Sequence, residues 1–423
     1  MNYLDFVDLT YKPGKNDLVC LFRVQPARGI TMRNAIGHVA SESSNGTWTG
    51  VAIDNERIRK LSAKAFDIKK DYVKIAYPVD LFEPSNMPQI LSSIAGNVFG
   101  MKALNGLRLE DVAWPRSIIK SFDGPQFGIN GIRKIFNVYD RPLTATVPKP
   151  KVGMTSNEHA RTGYDAWIGG IDLLKDDENL SSQKFNKFEE RIKKSFRMRD
   201  LAEKKTGEKK SYLVNVSAET NEMIRRAKLV KEYGGEYVMV DGLTVGWSAV
   251  QTLRDECGDL GLVVHMHRAM HAAMDRNPKH GISMLMISTI ARIVGVDQLH
   301  IGTVVGKLVS PKSEVMNIHD KITNDVSERI LKQNWYGAKP VMPVSSGGLH
   351  PGLIPYVIGI LGNDVVVQAG GGIHGHPSGT KKGAMAFRQS IDATTKGVTL
   401  DEYSKTHAEL SEALKHWGYV KPR

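Results

Sequence analysis

The stretch GGIDLLKDDENL, Gly169 to Leu180, decides how the chain is read. Two glycines lead into Ile171, Leu173 and Leu174, which predicts a buried strand, yet the run continues into Lys175, Asp176, Asp177 and Glu178. A parallel barrel puts apolar strands in its core and charged residues at their C-terminal ends, where the loops form the reactive rim. Seven other stretches have the same character: LTATVPKP, SYLVNVSAE, EYVMVDGLT, LVVHMHR, VDQLHIGT, KPVMPVSSGG and DVVVQAGGG. Helical spacing separates them, as in NEMIRRAKLVKEYGG, WSAVQTLRDECGDLG, SMLMISTIARIVG and GLIPYVIGILG. Eight strand-helix units between Leu143 and Gly397 occupy about 255 residues, near the ~250 typical of a (β/α)8 barrel.

The 423 residues exceed what one core usually holds, roughly 250 to 300. Residues 1–137 carry a mixed pattern, with strands DLVCLFRVQP and DYVKIAYPV and helices TMRNAIGHVASESS and NMPQILSSIAGNVFG. The expected architecture is α/β, an N-terminal α+β domain (1–137) followed by a C-terminal (β/α)8 TIM barrel (138–423). The closing LDEYSKTHAELSEALKHWG is expected as one helix on the barrel exterior. A 41% hydrophobic and 24% charged composition is that of a soluble globular protein. No apolar run reaches the ~18 residues of a membrane span, and the acidic start MNYLDFVDLTYKPG is unlike a secretory signal. A cytoplasmic protein with no membrane partner is expected. Cys20 and Cys257 are too few for a disulfide framework and read as core packing. The net charge of +12 fits nucleic acid, a phosphorylated substrate or a lysine-rich surface. The densest basic segment, Arg191 to Lys210, has nine Lys/Arg, three acids and one aromatic. It reads as a solvated helix face, because a nucleic-acid platform would interleave aromatics.

The strand ends form a parts list: Lys149 and Lys151; Lys175, Asp177 and Glu178; Asn215; Asp241; His265, His267 and Arg268; His300; Ser346, Gly347 and Gly348; and Gly370, Gly371 and Gly372. Asp177 and Glu178 offer the oxygen donors that Mg²⁺ prefers. A lysine ammonium has no acceptor and would repel the cation. If the neutral amine adds CO2, however, it becomes an anionic carbamate and a ligand. A Lys175 that only salt-bridges the acids is the other reading. His265 and His267, two apart on a strand, share a face that would also suit a transition metal; His265 as a hydrogen-bonded core residue is the other reading. Trp167, Trp247 and Trp335 read as packing.

Six segments, KPKVG (Lys149 to Gly153), GGIDLLKDDEN, HMHRAMH (His265 to His271), LHIGTVVGKL (Leu299 to Leu308), SSGGLHPG (Ser345 to Gly352) and QAGGGIHGHP (Gln368 to Pro377), resemble successive signatures of ribulose-1,5-bisphosphate carboxylase/oxygenase large subunits. SESSNGTWT (Ser41 to Thr49) and GNVFGMKALNGLRLEDV (Gly96 to Val112) are similar to that family's N-terminal active-site segments, and short termini, the PKPKVG form and the SGGLHPG segment make the archaeal-type branches (form III or II/III-like) the nearer likeness. The resemblance implies Mg²⁺ held by Asp177, Glu178 and a Lys175 carbamylated by activator CO2. That carbamate would take the C3 proton of ribulose 1,5-bisphosphate to give an enediolate, which CO2 or, in a monooxygenase side reaction, O2 would attack. Lys149 would protonate on the C2 side with Lys151 supporting it, and His267 would assist hydration.

Lys307, in a glycine-flanked loop that suits a lid or merely shapes a turn, would catch the new carboxylate. Glu42 of a second subunit would pair with it, with Asn97 near metal and substrate, so the minimum unit would be a homodimer; nothing indicates a small subunit. One phosphate would rest on Gly348, Gly370 and Gly371 with Thr47, Trp48 and Lys307; the other on Arg268, His300 and Ser346, beside Gly347. Val147, where a threonine is common in the family, and Ala369, where a larger residue is common, are departures that leave every mechanistic group in place. A carboxylase-like enolase of another sugar phosphate is the alternative from within the family, and an RNA-binding protein the alternative from outside it.

Overall fold

The structure is a computed structural model that describes residues 2–49, 51–305 and 311–419. The chain divides into two units: Met1–Gly124, Met270–Val294 and Asn324–Ala338 form one, and Pro125–Ala269, Gly295–Thr323 and Lys339–Arg423 the other.

In the first unit, strands Lys64–Lys69, Tyr72–Pro78, Asp17–Pro26 and Leu104–Ala113 pair antiparallel in that spatial order. Strict alternation in DLVCLFRVQP buries Leu18, Cys20, Phe22 and Val24 on one face. Helix Met32–Glu42, started by the Thr31 side chain accepting from the Asn34 N–H, packs Ala35, Ile36 and Val39 into this core. A short late strand, Gly281–Ile282, adds to the sheet edge in parallel with Arg108 and Leu109, so this sheet draws on residues far along the chain.

The second unit is the expected barrel. Its strands are β1 (Leu143–Thr146), β2 (Leu173–Lys175), β3 (Ser211–Asn215), β4 (Tyr237–Asp241), β5 (Val263–His267), β6 (Gln298–His300), β7 (Met342–Ser346) and β8 (Val366–Ala369). All neighbours are parallel and β8 closes on β1. Buried Leu143, Leu173, Leu213, Met239, Val263 and Val344 share one core cluster with Ile129, Ile132 and Phe136 of helix Gly128–Phe136. Helices follow the strands, among them α1 (Ser156–Ile168), α2 (Phe188–Thr206), α3 (Thr220–Glu232) and α4 (Trp247–Leu260). A reciprocal Thr155 and Glu158 box caps α1.

Three local expectations are corrected. Gly169 and Gly170 do not begin β2: Gly169 caps α1, and Gly170, at φ 105°, makes the turn in a region that side chains avoid. The C-terminal helix is two, Leu400–Ser404 and Ala408–Trp417; between them the Thr406 hydroxyl donates to the Tyr403 carbonyl and competes with helical continuation. The basic helix α2 is not solvated throughout, since Arg191 and Arg199 turn inward and are buried. Cys20, Cys257, Trp167 and Trp335 are core residues as expected, and Trp247 is half-buried. Among the described residues no helix is long and apolar enough to cross a membrane.

Candidate active site

Alternation at the end of β2 explains the four charged residues of the opening stretch. Side chains of successive residues leave a strand on opposite sides. Asp176 points toward the helices, where it accepts from the Tyr212 hydroxyl (2.5 Å) and the Asn215 N–H (3.0 Å). His159 of α1 at 3.2 Å and Arg191 of α2 at 3.3 Å complete its surroundings. Lys175 and Asp177 face the other way. Asp176 is therefore an internal anchor, and its partner Arg191 lies hidden within the basic segment.

On the barrel side, Lys175 is fully buried, and its Nζ donates to the Asp176 carbonyl (2.8 Å) and lies 3.7 Å from Glu178 Oε2. Burial pushes the lysine pKa down against the pull of Glu178, Asp241, Asp177 and Asp176. Lys149, at the end of β1, donates from Nζ to Asp177 Oδ2 at 3.0 Å. Lys151 follows two residues on, exposed. Burial would raise both carboxyl pKa values, yet Asp177 is held below the usual range by Asn179 and Lys149, and Glu178 by Lys175 and His267. Both are therefore anions at neutral pH.

His267 accepts from the Ala269 N–H at Nδ1 (3.1 Å), and two acids stand near it: Nε2 is 3.7 Å from Glu178 and Nδ1 is 3.3 Å from Asp241. Burial and the Lys175 charge lower its pKa. Behind it, the rings of His265 and His300 meet edge to face. Nδ1 of His300 lies 2.8 Å from Ser346 Oγ. Gly347 and Gly348 follow β7 at φ 124° and 78°, a turn closed to most side chains. Arg268 is buried. Gly370 ends β8 against Lys149, and a Cβ on it would sit 2.9 Å from Lys149 Cε, whereas one on Gly371 would meet nothing within 4 Å.

Asn215 and Asp241 were legible as strand ends but drew no role from sequence. The structure gives Asn215 one: its amide Nδ2 donates to the carbonyls of Leu180 (3.1 Å), Glu178 (3.3 Å) and Asp177 (3.4 Å) and thus shapes the loop that carries both acids. In the first unit, Asn97 Nδ2 donates to Glu42 Oε1 at 3.4 Å, Thr47 is half-buried, and Trp48 is 83% exposed. Lys307 lies outside the described residues.

The profile of the family described as "Ribulose bisphosphate carboxylase large chain, catalytic domain" matches residues 128–417, and that of its N-terminal domain matches residues 5–118. The chain belongs to the ribulose bisphosphate carboxylase large-chain family. It is 50% identical over 425 residues to a ribulose bisphosphate carboxylase of Pyrococcus abyssi, covering 100% of this chain and 98% of that one. A ribulose bisphosphate carboxylase of Methanosarcina mazei is 49% identical over 422 residues, at 98% and 99% coverage. Among solved structures, a dimeric archaeal Rubisco of Hyperthermus butylicus superposes with a TM-score of 0.94 at 47% identity, covering 99% and 100%. The octameric Rubisco of Pyrococcus horikoshii gives 0.95 at 49% identity, covering 100% and 98%. The barrel and the archaeal-type likeness read from the sequence are thereby borne out.

Proposed function

We propose that this chain is a ribulose-1,5-bisphosphate carboxylase/oxygenase, a carboxy-lyase that adds CO2, or O2 in the side reaction, to its bisphosphate substrate and cleaves the product. The observation that carries the reading is the buried Lys175 amine at the end of β2, 3.7 Å from Glu178 and on the same side as Asp177. Burial favours the neutral amine, the form that adds CO2, with release of one proton, to give a carbamate. The donor set fits Mg²⁺: two carboxylates ionised at neutral pH, plus a lysine that turns anionic once carbamylated. When bound, the metal supplies an electrophile for the sugar's carbonyl and hydroxyl oxygens.

The chain's own groups do the rest. Lys149, fixed against Asp177, moves the proton on the C2 side, with Lys151 beside it in sequence. His267, oriented by the Ala269 N–H and near Asp241 and Glu178, assists hydration at C3. Backbone N–H groups of Gly348, Gly370 and Gly371 cradle one phosphate, and Arg268, His300 and Ser346, next to Gly347, line the place of the other. In this reading Lys307 catches the new carboxylate, and Glu42, Thr47, Trp48 and Asn97 of residues 1–137 complete the site of the barrel (138–423) in a second copy. The working unit is then a homodimer or an assembly of such dimers, in the cytoplasm.

The test is incorporation of label from bicarbonate into 3-phosphoglycerate with ribulose 1,5-bisphosphate and Mg²⁺. Activity should rise on preincubation with CO2 and Mg²⁺, and Lys175→Ala should be folded and inactive. Full activity in that variant would overturn the mechanism.

A further inference from the structure

The turn after β8 is held on its two sides by different means. Toward β7, backbone meets backbone: a Cβ on Gly372 would collide with the Leu349 carbonyl oxygen. Toward β1, the tie is a side chain. His374 closes the short helix Gly371–His374, and its N–H, like that of Ile373, donates to the Gly370 carbonyl (3.0 Å each). Its ring Nε2 lies 3.0 Å from Oγ1 of Thr146, the last residue of β1, and its Nδ1 lies 3.0 Å from Oγ1 of Thr380, which starts helix Thr380–Thr395. Thr146 is fully buried and pairs in register with Ala369, the last residue of β8.

A main-chain carbonyl orders the hydrogens along this tie. Thr146 Oγ1 is 2.7 Å from the Ala369 carbonyl oxygen. Two oxygens that close need a hydrogen between them, and the carbonyl has none to give. The threonine hydrogen therefore points to Ala369, and the hydroxyl faces His374 with a lone pair. His374 must then carry its hydrogen on Nε2, which leaves Nδ1 to accept from the Thr380 hydroxyl. Turning the ring over would set carbon opposite both hydroxyls and lose both bonds. Burial, then the neighbouring Lys149 and His159, lower the ring's pKa to about 4 from an ordinary 6.5, against a hydrogen bond with the Val147 backbone that raises it. The ring is thus neutral at neutral pH, as the arrangement requires.

We infer that His374 is a positioning residue for the phosphate cradle, tying the turn of Gly370 and Gly371 to the end of β1 through Thr146. The inference rests on the proposed function and deepens it. Backbone N–H groups select an anion only while their direction is fixed. A Cβ on Gly371 would meet nothing within 4 Å, so close packing does not orient that residue. The turn that His374 closes does.

The test uses His374→Leu, which fills much of the space without hydrogen bonds, Thr146→Val, which keeps the shape and loses the hydroxyl, and His374→Gln, whose amide N–H can replace Nε2–H. The first readout is calorimetric binding of ribulose 1,5-bisphosphate without Mg²⁺ or CO2, beside KM and kcat for carboxylation. One correctly aimed hydrogen bond corresponds to about a 3- to 10-fold effect. Kd and KM should rise by about that factor in His374→Leu and in Thr146→Val, with kcat within about twofold, and return toward normal in His374→Gln. The double variant should be little worse than either single one, because both remove the same contact. The second readout is ¹⁵N NMR of the histidine-labelled unmodified chain, with the His374 signal assigned by its loss in His374→Gln; the ring should be Nε2–H. An Nδ1–H ring, fully additive effects, or a His374→Leu variant whose thermal midpoint falls while Kd and KM stay unaltered would overturn the inference. If the unmodified chain neither binds nor carboxylates ribulose 1,5-bisphosphate, the functional reading fails instead, and the tautomer result still stands.

Discussion

Gly370→Ala should separate the placement of Lys149 from everything else in the site. The backbone at Gly370 has φ −104°, so alanine meets no left-handed strain there. Its Cβ would lie 2.9 Å from Lys149 Cε and 3.6 Å from the Val147 carbonyl oxygen. The contact with Cε is too close, and Cε must retreat by roughly 0.5 to 1 Å to reach ordinary packing distance. Cε is near the free end of a flexible, partly exposed side chain, so the retreat costs little stability, about 1 kcal/mol or less. Its consequence falls on Nζ, which the present geometry holds 3.0 Å from Asp177. Displacement of a proton-transfer group by about 1 Å costs on the order of 100-fold in rate. We expect kcat for carboxylation to fall by about 10- to 100-fold, with KM changed less than about threefold and the thermal midpoint within about 3 °C of the parent. Gly371→Ala is the control: its Cβ meets nothing within 4 Å, and its N–H is one of those proposed to cradle phosphate, so KM should rise more than kcat falls. Steady-state kinetics with labelled bicarbonate, beside calorimetry, reads both. A Gly370→Ala enzyme with unchanged kcat would refute the reasoning.

Asp176→Asn should destabilise the fold by about 3 to 5 kcal/mol in urea unfolding at pH 7, because it leaves the buried Arg191 without its counter-charge. Burial alone would raise the Asp176 pKa; Arg191, His159 and Tyr212 outweigh it and hold the group at about 2, against an ordinary 3.8. This depression is worth about 2 kcal/mol, fully present above about pH 4 and lost as pH falls toward 2; the variant's stability should therefore fall less steeply over that window, and an identical acid limb would contradict the assignment. Asn215→Ala frees the three carbonyls that shape the Asp177–Glu178 loop and should raise the Mg²⁺ concentration for half-activation about tenfold, measured by titration with CO2 held constant; an unshifted titration would count against it. If Glu42 acts in the partner's site, co-expressed Lys175→Ala and Glu42→Gln chains, each inactive alone, should regain up to about half of parental activity in mixed dimers, which keep one intact site of two. No recovery in purified heterodimers would place Glu42 and Lys175 in the same chain's site.

How much was legible in advance follows from which physical signal each feature carries. The barrel was, because eight buried strands cannot avoid being apolar runs, and parallel neighbours need helices between them. The rim was legible for the same reason: Lys149, Lys175, Asp177, His267 and His300 are polar groups at the ends of strands that should have stayed apolar, and the structure gathers them within hydrogen-bonding or near ion-pair reach. Gly169 and Gly170 misled because a helix stop and a strand start both favour glycine, and only the backbone angle at Gly170 distinguishes them. Gln298 escaped notice, and Asp176 and Asn215 drew no role, for a different reason. Each acts on a neighbour from the next strand or from a covering helix, so its role depends on register across the barrel, a quantity that no periodicity within one segment contains. Gln298 shows the point most sharply: in the sequence it is one amide in VDQLHIGT, yet its pairing opposite His265 brings its side chain within 2.9 Å of that ring's Nδ1. Supporting residues of a site are thus the part that sequence pattern alone conveys least, because their chemistry is defined by what stands across from them.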